Sequence, residues 1–346
     1  MPTSETEFVA WTDGQAGRIR LTRPKALNAL TAGMVDGIHR TLTGWARDDR
    51  IALVLLDAEG ERAFCAGGDL AGLYHANGPE PARAFWRAEY AMNRLLARFP
   101  KPVVSFLNGF VMGGGVGQGC HAACRIVCDS TRIALPECSV GIVPDVGSSA
   151  LLAKAPGRLG EFLGLTGFRM TAADAIHAGF ADCYLPESEW PALKTALGAM
   201  GSLDDLPAHD PGPSQLAEWQ SDINTVFAGS TPTEIAENLA ATPGAAADLA
   251  RKLMTKGAPL AMASALKIIR QVREDPTIEN ALIHEYRFVH RAIAQPDFHE
   301  GIRAAVIDKD RNPCWAQVDW TQVPVRDVEA MTAPLAGDIL TFKGDH

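Results

Sequence analysis

The chain has 346 residues, 47% of them hydrophobic and 21% charged, a composition that excludes a largely disordered protein. The formal net charge of −9 argues against a nucleic-acid-binding protein, which needs a basic face. No apolar run reaches the roughly 18 residues that a membrane-spanning helix requires, so no membrane contact is expected.

The N-terminal stretch MPTSETEFVAWTDG is acidic and poor in apolar residues, unlike a signal peptide or an Arg-rich transit peptide. The seven cysteines form no CxxC pair, which is typical of a reducing compartment. A cytoplasmic location is therefore expected. Cys120, Cys124 and Cys128 have helical spacing beside His121, and we interpret them as small apolar filling of a buried helix rather than as a metal site.

Strands and helices alternate through the first 185 residues. A strand is predicted over 18–22, a helix from an N-cap at Thr31 to about residue 48, and a buried strand over 51–58. The further predicted elements are a glycine-containing segment at 63–70, a helix over 81–99, and strands over 102–107, 125–128 and 132–135. This order predicts repeated βα units and an α/β core.

The segment 201–215 differs from its surroundings because it is rich in Asp, Pro and Gly, and it predicts a linker. Only helical patterns follow, over 214–227, 232–240, 244–256, 259–273 and 277–294, with a last helix starting near Asp297. We therefore divide the chain into a core domain at 1–200, a linker at 201–215 and a helical region at 216–346. That region is expected to pack on its own core or on a second copy, so a homo-oligomer stays open.

Two glycine-rich turns, FCAGGDL at 64–70 and MGGGVG at 112–117, each follow a predicted strand and open a helix. Glycine lets the backbone approach a ligand closely, and free N–H groups at a helix start favour negative charge. Two such turns on adjacent strands could aim two N–H groups at one oxygen, as in an oxyanion hole. Tight packing of helix on strand is the alternative, with equal weight.

A nucleotide-binding loop is the rival interpretation of the second turn. The segment 117–122 fits G-x-G-x-x-A, but the next predicted strand starts at Arg125, too soon for a crossover helix. No P-loop motif occurs either. We therefore expect no nucleotide cofactor of these kinds.

Glu137 and Asp145 lie in the apolar segment LPECSVGIVPDVG. Ionised groups in apolar surroundings are usually paired or functional. A structural ion pair is the alternative, although no Lys or Arg follows them before Lys154. The two carboxylates are therefore candidates for catalysis.

These segments resemble the crotonase (enoyl-CoA hydratase/isomerase) superfamily. RPKALNAL at 23–30 is similar to its early CoA-binding loop, and AGGD at 66–69 and GGG at 113–115 are similar to its two oxyanion turns. The resemblance implies an α/β crotonase spiral of repeated β–β–α turns, followed by a helical C-terminal region, and an acyl-CoA substrate. It implies no cofactor, because coenzyme A is part of the substrate, and no metal.

One departure from the superfamily pattern narrows the implied activity. Hydratases carry a Glu three residues after the middle glycine of the triplet, where this chain has Gly117, whereas Glu137 matches their second Glu and Asp145 is additional. This combination resembles the 3-hydroxyisobutyryl-CoA hydrolases, thioesterases of valine breakdown. Further similar segments are AEY at 88–90, LTGFR at 165–169 and DFHEGIRAAVIDKD at 297–310.

The resemblance also implies roles for individual residues. Gly68 and Gly114 would supply the N–H groups of the oxyanion hole, and Glu137 would act at the acyl carbon as nucleophile or as general base for water. Asp145 and Glu89 would position the acyl group. The remaining implied substrate contacts are Lys25, which could equally be a solvated loop lysine, and Ala26, Leu27, Ala66, Asp69 and Leu70.

Two alternatives to hydrolysis stay open. One is a hydratase or isomerase of the same fold that uses Glu137 alone. The other is a non-catalytic acyl-CoA-binding protein, against which the presence of both Glu137 and Asp145 argues.

Overall fold

The computed structural model describes residues 7–342, apart from residues 77 and 205. The first six residues, which begin the acidic N-terminal stretch, lie outside the described part. The chain forms two compact units, each described by itself. Of the described residues, the sheet unit contains those within 7–68, 88–134 and 169–214, and the helical unit contains those within 69–87, 135–168 and 215–342.

The strands all belong to the sheet unit. They are β1 (Phe8–Asp13), β2 (Ala16–Leu21), β3 (Leu53–Ala58), β4 (Ala63–Cys65), β5 (Val103–Leu107), β6 (Phe110–Met112), β7 (Cys124–Val127), β8 (Arg132–Ala134) and β9 (Cys183–Tyr184).

The helices are divided between the two units. The sheet unit holds α1 (Ala32–Ala46), α4 (Gly114–Gly119), α7 (Ala172–His177) and α8 (Trp190–Met200), while α3 (Glu80–Ala97) is shared between the units. The helical unit holds α2 (Leu70–Tyr74), α5 (Ser148–Lys154), α6 (Leu159–Thr166), α9 (Gln215–Val226), α10 (Pro232–Ala241), α11 (Ala245–Met254), α12 (Pro259–Val272), α13 (Ile278–Ala292), α14 (Pro296–Ile302) and α15 (Val325–Thr332).

Two sheets build the sheet unit, with strand orders β1-β2-β3-β5-β7-β9 and β4-β6-β8. Only the β1–β2 pair is antiparallel among the described strand pairs. Three pairs of consecutive strands have their first strand in the larger sheet and their second strand in the smaller sheet. These pairs are β3 with β4, β5 with β6, and β7 with β8. The chain therefore advances by one repeated turn per strand pair, and the predicted α/β class with repeated turns is confirmed.

The larger sheet carries the core of the sheet unit. Strand β3 is buried over its first five residues and β5 over its whole length, as continuous apolar runs predict. Phe106 of β5 packs edge-on against Trp190 of α8, with ring centroids 5.3 Å apart. The α8 helix thereby covers one face of the larger sheet.

Most predicted elements are present with ends shifted by a few residues. The predicted N-cap is confirmed, since the Thr31 hydroxyl accepts from the Met34 N–H at 3.2 Å. The segment 201–214 contains no helix or strand among its described residues, and the predicted helices after it correspond to α9–α14. Strands β1, β4, β6 and β9 and helices α5, α6, α7, α8 and α15 were not predicted, and the predicted domain division stays a prediction.

The interpretation of the three cysteines as filling of one buried helix is wrong, whereas the strand predicted over 125–128 is present as β7. Helix α4 ends at Gly119, Cys120 is its C-cap, and Cys124 already pairs with Val104 in the parallel sheet. Pairing with the buried strand β5 takes precedence over the helical spacing. The three side chains are nevertheless buried, as expected of small apolar residues: Cys120 is 1% exposed, Cys124 is 5% exposed and Cys128 is 0% exposed.

Helix α12 is the centre of the helical unit, where it packs against α5, α6, α13 and α15. Its buried residues point in nearly every direction, so it is enclosed by neighbours rather than lying on a surface. Within the described ranges, no helix combines the length and the apolar character that crossing a membrane requires.

Close packing explains the glycines at positions 115 and 119. A side chain at Gly115 would begin 2.1 Å from the Cys65 carbonyl oxygen, well inside contact distance. At Gly119 it would begin 2.5 Å from Leu107 Cδ2. The alternative of tight packing therefore holds for these two glycines.

We predict opposite effects of Ala at two helical glycines of the sheet unit. Gly115→Ala should lower the free energy of unfolding by about 1–3 kcal/mol, because the new methyl overlaps backbone that cannot rotate away. Gly44→Ala, the matched control, should raise it by about 0.5–1 kcal/mol, since nothing lies within 4 Å of the site and Ala is the better helix former. Urea unfolding of both variants measures the difference; a Gly115→Ala variant as stable as the wild type would contradict it.

Candidate active site

The two glycine-rich turns of the sheet unit leave neighbouring strands. Strand β4 pairs in parallel with β6, with Cys65 opposite Val111. The backbone of the turns has positive φ at Gly67 (+112°) and Gly113 (+50°), a conformation that residues with a side chain rarely adopt. Because parallel neighbours end at the same sheet edge, the turns lie side by side.

Gly68 and Gly114 are thereby brought together. A Cβ built on Gly114 would lie 3.4 Å from the Gly68 nitrogen and 2.5 Å from Glu89 Oε1. Position 114 therefore has no room for a side chain, and the two amides proposed for the oxyanion hole are neighbours. The structure also adds the Glu89 carboxylate to this amide pair.

Glu89 lies in the part of α3 that belongs to the sheet unit and is 2% exposed. Its charge contributes to the environment of the Cys65 thiol, whose pKa is raised to about 12, mainly by burial. A thiol with that pKa stays protonated at neutral pH, so Cys65 is not a nucleophile here.

The candidate CoA-binding loop is attached to the first turn. Ala66 N donates to the Leu27 carbonyl at 3.0 Å, and Leu30 N donates to the Gly67 carbonyl at 2.8 Å. Lys25 and Ala26 form an exposed 3-10 turn with Pro24. The structure therefore brings Lys25, Ala26, Leu27 and Ala66 into one connected surface of the sheet unit.

Asn28 organises this loop, a role that the sequence analysis missed. Leu27 and Asn28 have positive φ values of +52° and +55°, and the buried Asn28 amide donates to the carbonyls of Glu59 and Ala63. Asn tolerates the left-handed conformation better than most residues, so its presence in the loop was a usable signal.

Asp69 and Leu70 belong to the helical unit, where they start the short helix α2. Asp69 is the N-cap, and its carboxylate accepts from Gly72 N at 3.2 Å. The described contact of the Asp69 side chain is therefore that of a helix cap. Leu70 is partly exposed.

The two candidate carboxylates lie in consecutive loops of the helical unit. Glu137 opens a 3-10 turn over Glu137–Val140 and is 5% exposed. This turn is tied to its surroundings, because Ala258 N donates to the Cys138 carbonyl and a side chain at Gly141 would begin 2.3 Å from the Asp297 carbonyl oxygen. Glu137 is therefore buried on a closely packed backbone.

Asp145 is 4% exposed and precedes two residues with left-handed backbone. Val146 has φ +58° and Gly147 has φ +79°, and helix α5 then begins at Ser148. A β-branched residue at positive φ is strained, so the surrounding structure must hold this turn.

Glu285 of α13 forms hydrogen bonds directly after this turn and was missed by the sequence analysis. Its fully buried carboxylate accepts from Gly147 N at 2.7 Å, from Ser149 N at 2.9 Å and from the Ser149 hydroxyl. The signal was an acidic residue at a core position of the 277–294 helical pattern, between buried Leu282 and Val289.

Burial controls the protonation of Glu285. It raises the pKa of this carboxyl from 4.5 to about 8, the Asp145 charge adds to the rise, and the hydrogen bonds from Gly147 and Ser149 oppose it. Among the described residues, including those around Glu285, no group of three or more His, Cys, Asp or Glu side chains could hold a metal ion.

Comparison with known proteins relates the chain to a large enzyme family. The family model described as enoyl-CoA hydratase/isomerase matches residues 16–332. A protein of Rattus norvegicus named 3-hydroxyisobutyryl-CoA hydrolase, mitochondrial, is 35% identical over 98% of this chain and 92% of its own length. Its Homo sapiens namesake is also 35% identical, over 95% of this chain and 89% of its own length.

Solved structures are similar over nearly the whole chain. One described as an enoyl-CoA hydratase from Rhodobacter sphaeroides 2.4.1 is 48% identical with a TM-score of 0.94, over 97% of this chain and 100% of that chain. One described as a carnitinyl-CoA dehydratase from Mycobacterium thermoresistibile is 40% identical with a TM-score of 0.93, over 98% and 99%.

We predict that Glu285 makes folding stability fall as pH rises. The folded chain keeps a proton that the unfolded chain releases near pH 4.5, so this contribution is complete below pH 4.5 and is lost towards pH 8. The slope should reach at most about 1.4 kcal/mol per pH unit and vanish in Glu285→Gln. Urea unfolding across this pH range measures it.

Glu161→Gln is the matched control, because this buried carboxylate has the opposite shift. Burial disfavours its charge, but hydrogen bonds from Arg273 and Arg158 outweigh burial and lower its pKa. Its contribution is present above its unfolded pKa and is lost towards acid, so this variant should alter the acid side instead. Identical slopes between pH 4.5 and pH 8 in the wild type and Glu285→Gln would contradict the prediction.

Proposed function

Because the chain belongs to the enoyl-CoA hydratase/isomerase family, we propose that it hydrolyses 3-hydroxyisobutyryl-CoA to 3-hydroxyisobutyrate and CoA. The predicted crotonase fold and the predicted likeness to 3-hydroxyisobutyryl-CoA hydrolases are confirmed by the comparisons. The observation that carries the proposal is the residue set: buried Glu137 and Asp145, with glycine at position 117.

A hydratase is the second candidate, favoured by the 48% identical structure described as an enoyl-CoA hydratase. The resemblance to the superfamily implies that hydratases use two carboxylates to handle the added water. It places the first of these carboxylates at position 117. Gly117 lies in α4 and has no side chain to supply it. We therefore favour hydrolysis, in which one carboxylate acts at the acyl carbon.

The proposed chemistry assigns the thioester oxygen to the Gly68 and Gly114 amides. Charge develops on this oxygen when the acyl carbon becomes tetrahedral, and fixed N–H donors stabilise that charge. As nucleophile, Glu137 attacks the acyl carbon, CoA leaves as a thiolate that takes up a proton, and water cleaves the resulting anhydride. As general base, Glu137 instead removes a proton from the attacking water.

Asp145 and Glu89 are proposed to position the acyl group, Asp145 by accepting from its 3-hydroxyl. Lys25, exposed in its 3-10 turn, is proposed to contact a CoA phosphate. The contacts proposed from Ala26, Leu27, Ala66, Asp69 and Leu70 complete the substrate-binding set. No cofactor is required in this scheme, because CoA enters as part of the substrate.

The setting of the reaction is also part of the proposal. Hydrolysis of 3-hydroxyisobutyryl-CoA would place the protein in valine degradation. A cytoplasmic location stays a prediction, while the curated relatives carry the word mitochondrial in their names. A homo-oligomer likewise stays open.

We predict CoA release from 3-hydroxyisobutyryl-CoA and negligible water addition to crotonyl-CoA. Free-thiol detection reports the first reaction, and loss of enoyl absorbance without thiol release reports the second. Hydration at enzyme-like rates, about 1–10³ per second, would overturn the hydrolase proposal. Absence of both reactions would favour a non-catalytic acyl-CoA-binding protein.

Asp145→Ala is predicted to discriminate between substrates. It should reduce kcat/KM for the 3-hydroxyacyl thioester by up to about 10⁴ more than for the deoxy analogue isobutyryl-CoA, because a buried acceptor built for a hydroxyl distinguishes its presence. Equal losses on both thioesters would mean that Asp145 serves the thioester chemistry or the fold instead.

A further inference from the structure

Glu285 is a buried acidic residue to which the proposed reaction assigns no part. It lies on α13 at 0% exposure, and α13 packs against α5 within the helical unit. Among the described residues, the groups that donate to its carboxylate are two backbone N–H groups and one hydroxyl, from Gly147 and Ser149. An isolated acidic side chain is costly to bury, so its retention calls for a reason.

Another buried Glu of the helical unit, Glu161, shows the usual solution. Glu161, also at 0% exposure, accepts from the guanidinium groups of Arg158 and Arg273 at 2.7–2.8 Å. An ion pair of this kind neutralises the charge locally. The described donors of Glu285 include no cation, so its carboxylate serves to hold backbone rather than to pair charge.

The backbone that Glu285 holds directly follows Asp145. Gly147 N donates to Oε2 at 2.7 Å and Ser149 N donates to Oε1 at 2.9 Å, so the two carboxylate oxygens hold N–H groups two residues apart. Between Asp145 and these groups lies Val146 at φ +58°. This conformation is unfavourable for valine by itself and persists only where neighbouring contacts impose it.

We propose that Glu285 is a positioning residue that fixes the 145–149 turn and thereby aims the Asp145 carboxylate at the acyl group. The inference rests on the proposed function, because it assumes that Asp145 meets the substrate. The two oxygens of the Glu285 carboxylate attach to this segment at two points, Gly147 N and Ser149 N. A displacement of about 1 Å at a reacting group can reduce turnover by about 10²-fold.

Glu285→Gln tests the inference with little change in shape. A carboxamide accepts through one of its two terminal atoms only, so either Gly147 N–H or Ser149 N–H must face an NH₂ group. The variant should lose about 10–100-fold in kcat/KM on 3-hydroxyisobutyryl-CoA and far less on isobutyryl-CoA. Hydrogen exchange in the peptide covering 145–149 should become faster.

Ser149→Ala is the graded companion variant. It removes the hydroxyl hydrogen bond and leaves both N–H groups on the carboxylate, so it should show the same substrate selectivity at smaller size. It also tests the inference if Glu285→Gln does not fold. Glu161→Gln is the control for loss of a buried carboxylate in the helical unit, and it should affect both substrates equally.

A double variant separates positioning from general damage. If Glu285 acts through Asp145, Glu285→Gln should add little further loss in an Asp145→Ala background on 3-hydroxyisobutyryl-CoA. The inference would be overturned if the loss in the double variant were the product of the losses in the two single variants. Equal losses on both thioesters in Glu285→Gln and Ser149→Ala would also overturn it, while the proposed function would stand.

Failure of the proposed function gives a different pattern. A wild type that does not release CoA from 3-hydroxyisobutyryl-CoA would overturn the substrate assignment and the aiming of Asp145 at that acyl group. The effect of Glu285→Gln on hydrogen exchange at 145–149 would then decide the remaining part of the inference. Unchanged exchange would show that Glu285 does not hold the turn.

Discussion

The parallel pairing of β4 with β6 is the constraint on which the amide side of the proposed site depends. Parallel neighbours end at one sheet edge, so the turns after them emerge together, and Gly68 N lies 3.4 Å from where a Gly114 side chain would begin. Helix α4 must also approach β4 closely, which is why Gly115 meets the Cys65 carbonyl. The glycine cluster thus serves two physical needs: Gly113 permits the turn and Gly114 leaves the amide pair without an overlying side chain, while Gly115 permits the close packing of α4 on β4.

The helical unit meets a different demand, the burial of acidic groups. Glu161 is held by arginines, which keep it ionised, and burial instead favours the protonated form of Glu285. The first arrangement is insensitive to pH near neutrality, whereas the second titrates near pH 8. A carboxyl that can both accept from backbone N–H groups and carry a proton suits a position beside Asp145, because two full negative charges need not face one another. The neighbouring charge that raises the pKa of Glu285 is thus the group that Glu285 holds in place.

The sequence predicted those features that depend on local pattern. Continuous apolar runs predicted β3 and β5, Thr31 predicted the start of α1, and the helical periods after residue 214 predicted α9–α13. Features that depend on distant partners were beyond it. Strand β6 has three residues and exists because β4 and β8 lie on either side. The helical spacing of Cys120, Cys124 and Cys128 was misleading, because the strand predicted over 125–128 pairs with β5 and begins already at Cys124. Likewise the carboxylates at 137 and 145 stand out in an apolar segment, but Glu285, 140 positions after Asp145, joins their loop only through the packing of α13 on α5.

Family membership alone does not choose between hydration and hydrolysis, because relatives described by either activity match nearly the whole chain. The choice rests on what each reaction demands of the residues. Adding water across a double bond requires that a proton leave the water as its oxygen bonds to one carbon, and that a proton be delivered to the other carbon. Position 117, where a second carboxylate would be supplied, is glycine on the buried helix α4. Cleaving a thioester requires attack at one carbon that is already activated, so one carboxylate with fixed N–H donors suffices. Recognition of the acyl chain is then the part proposed for Asp145. The buried Asp145 carboxylate lies on a strained turn, and Glu285 is proposed to hold that turn. A carboxylate fixed in this way is better suited to recognising a hydroxyl of the substrate than to delivering a mobile water.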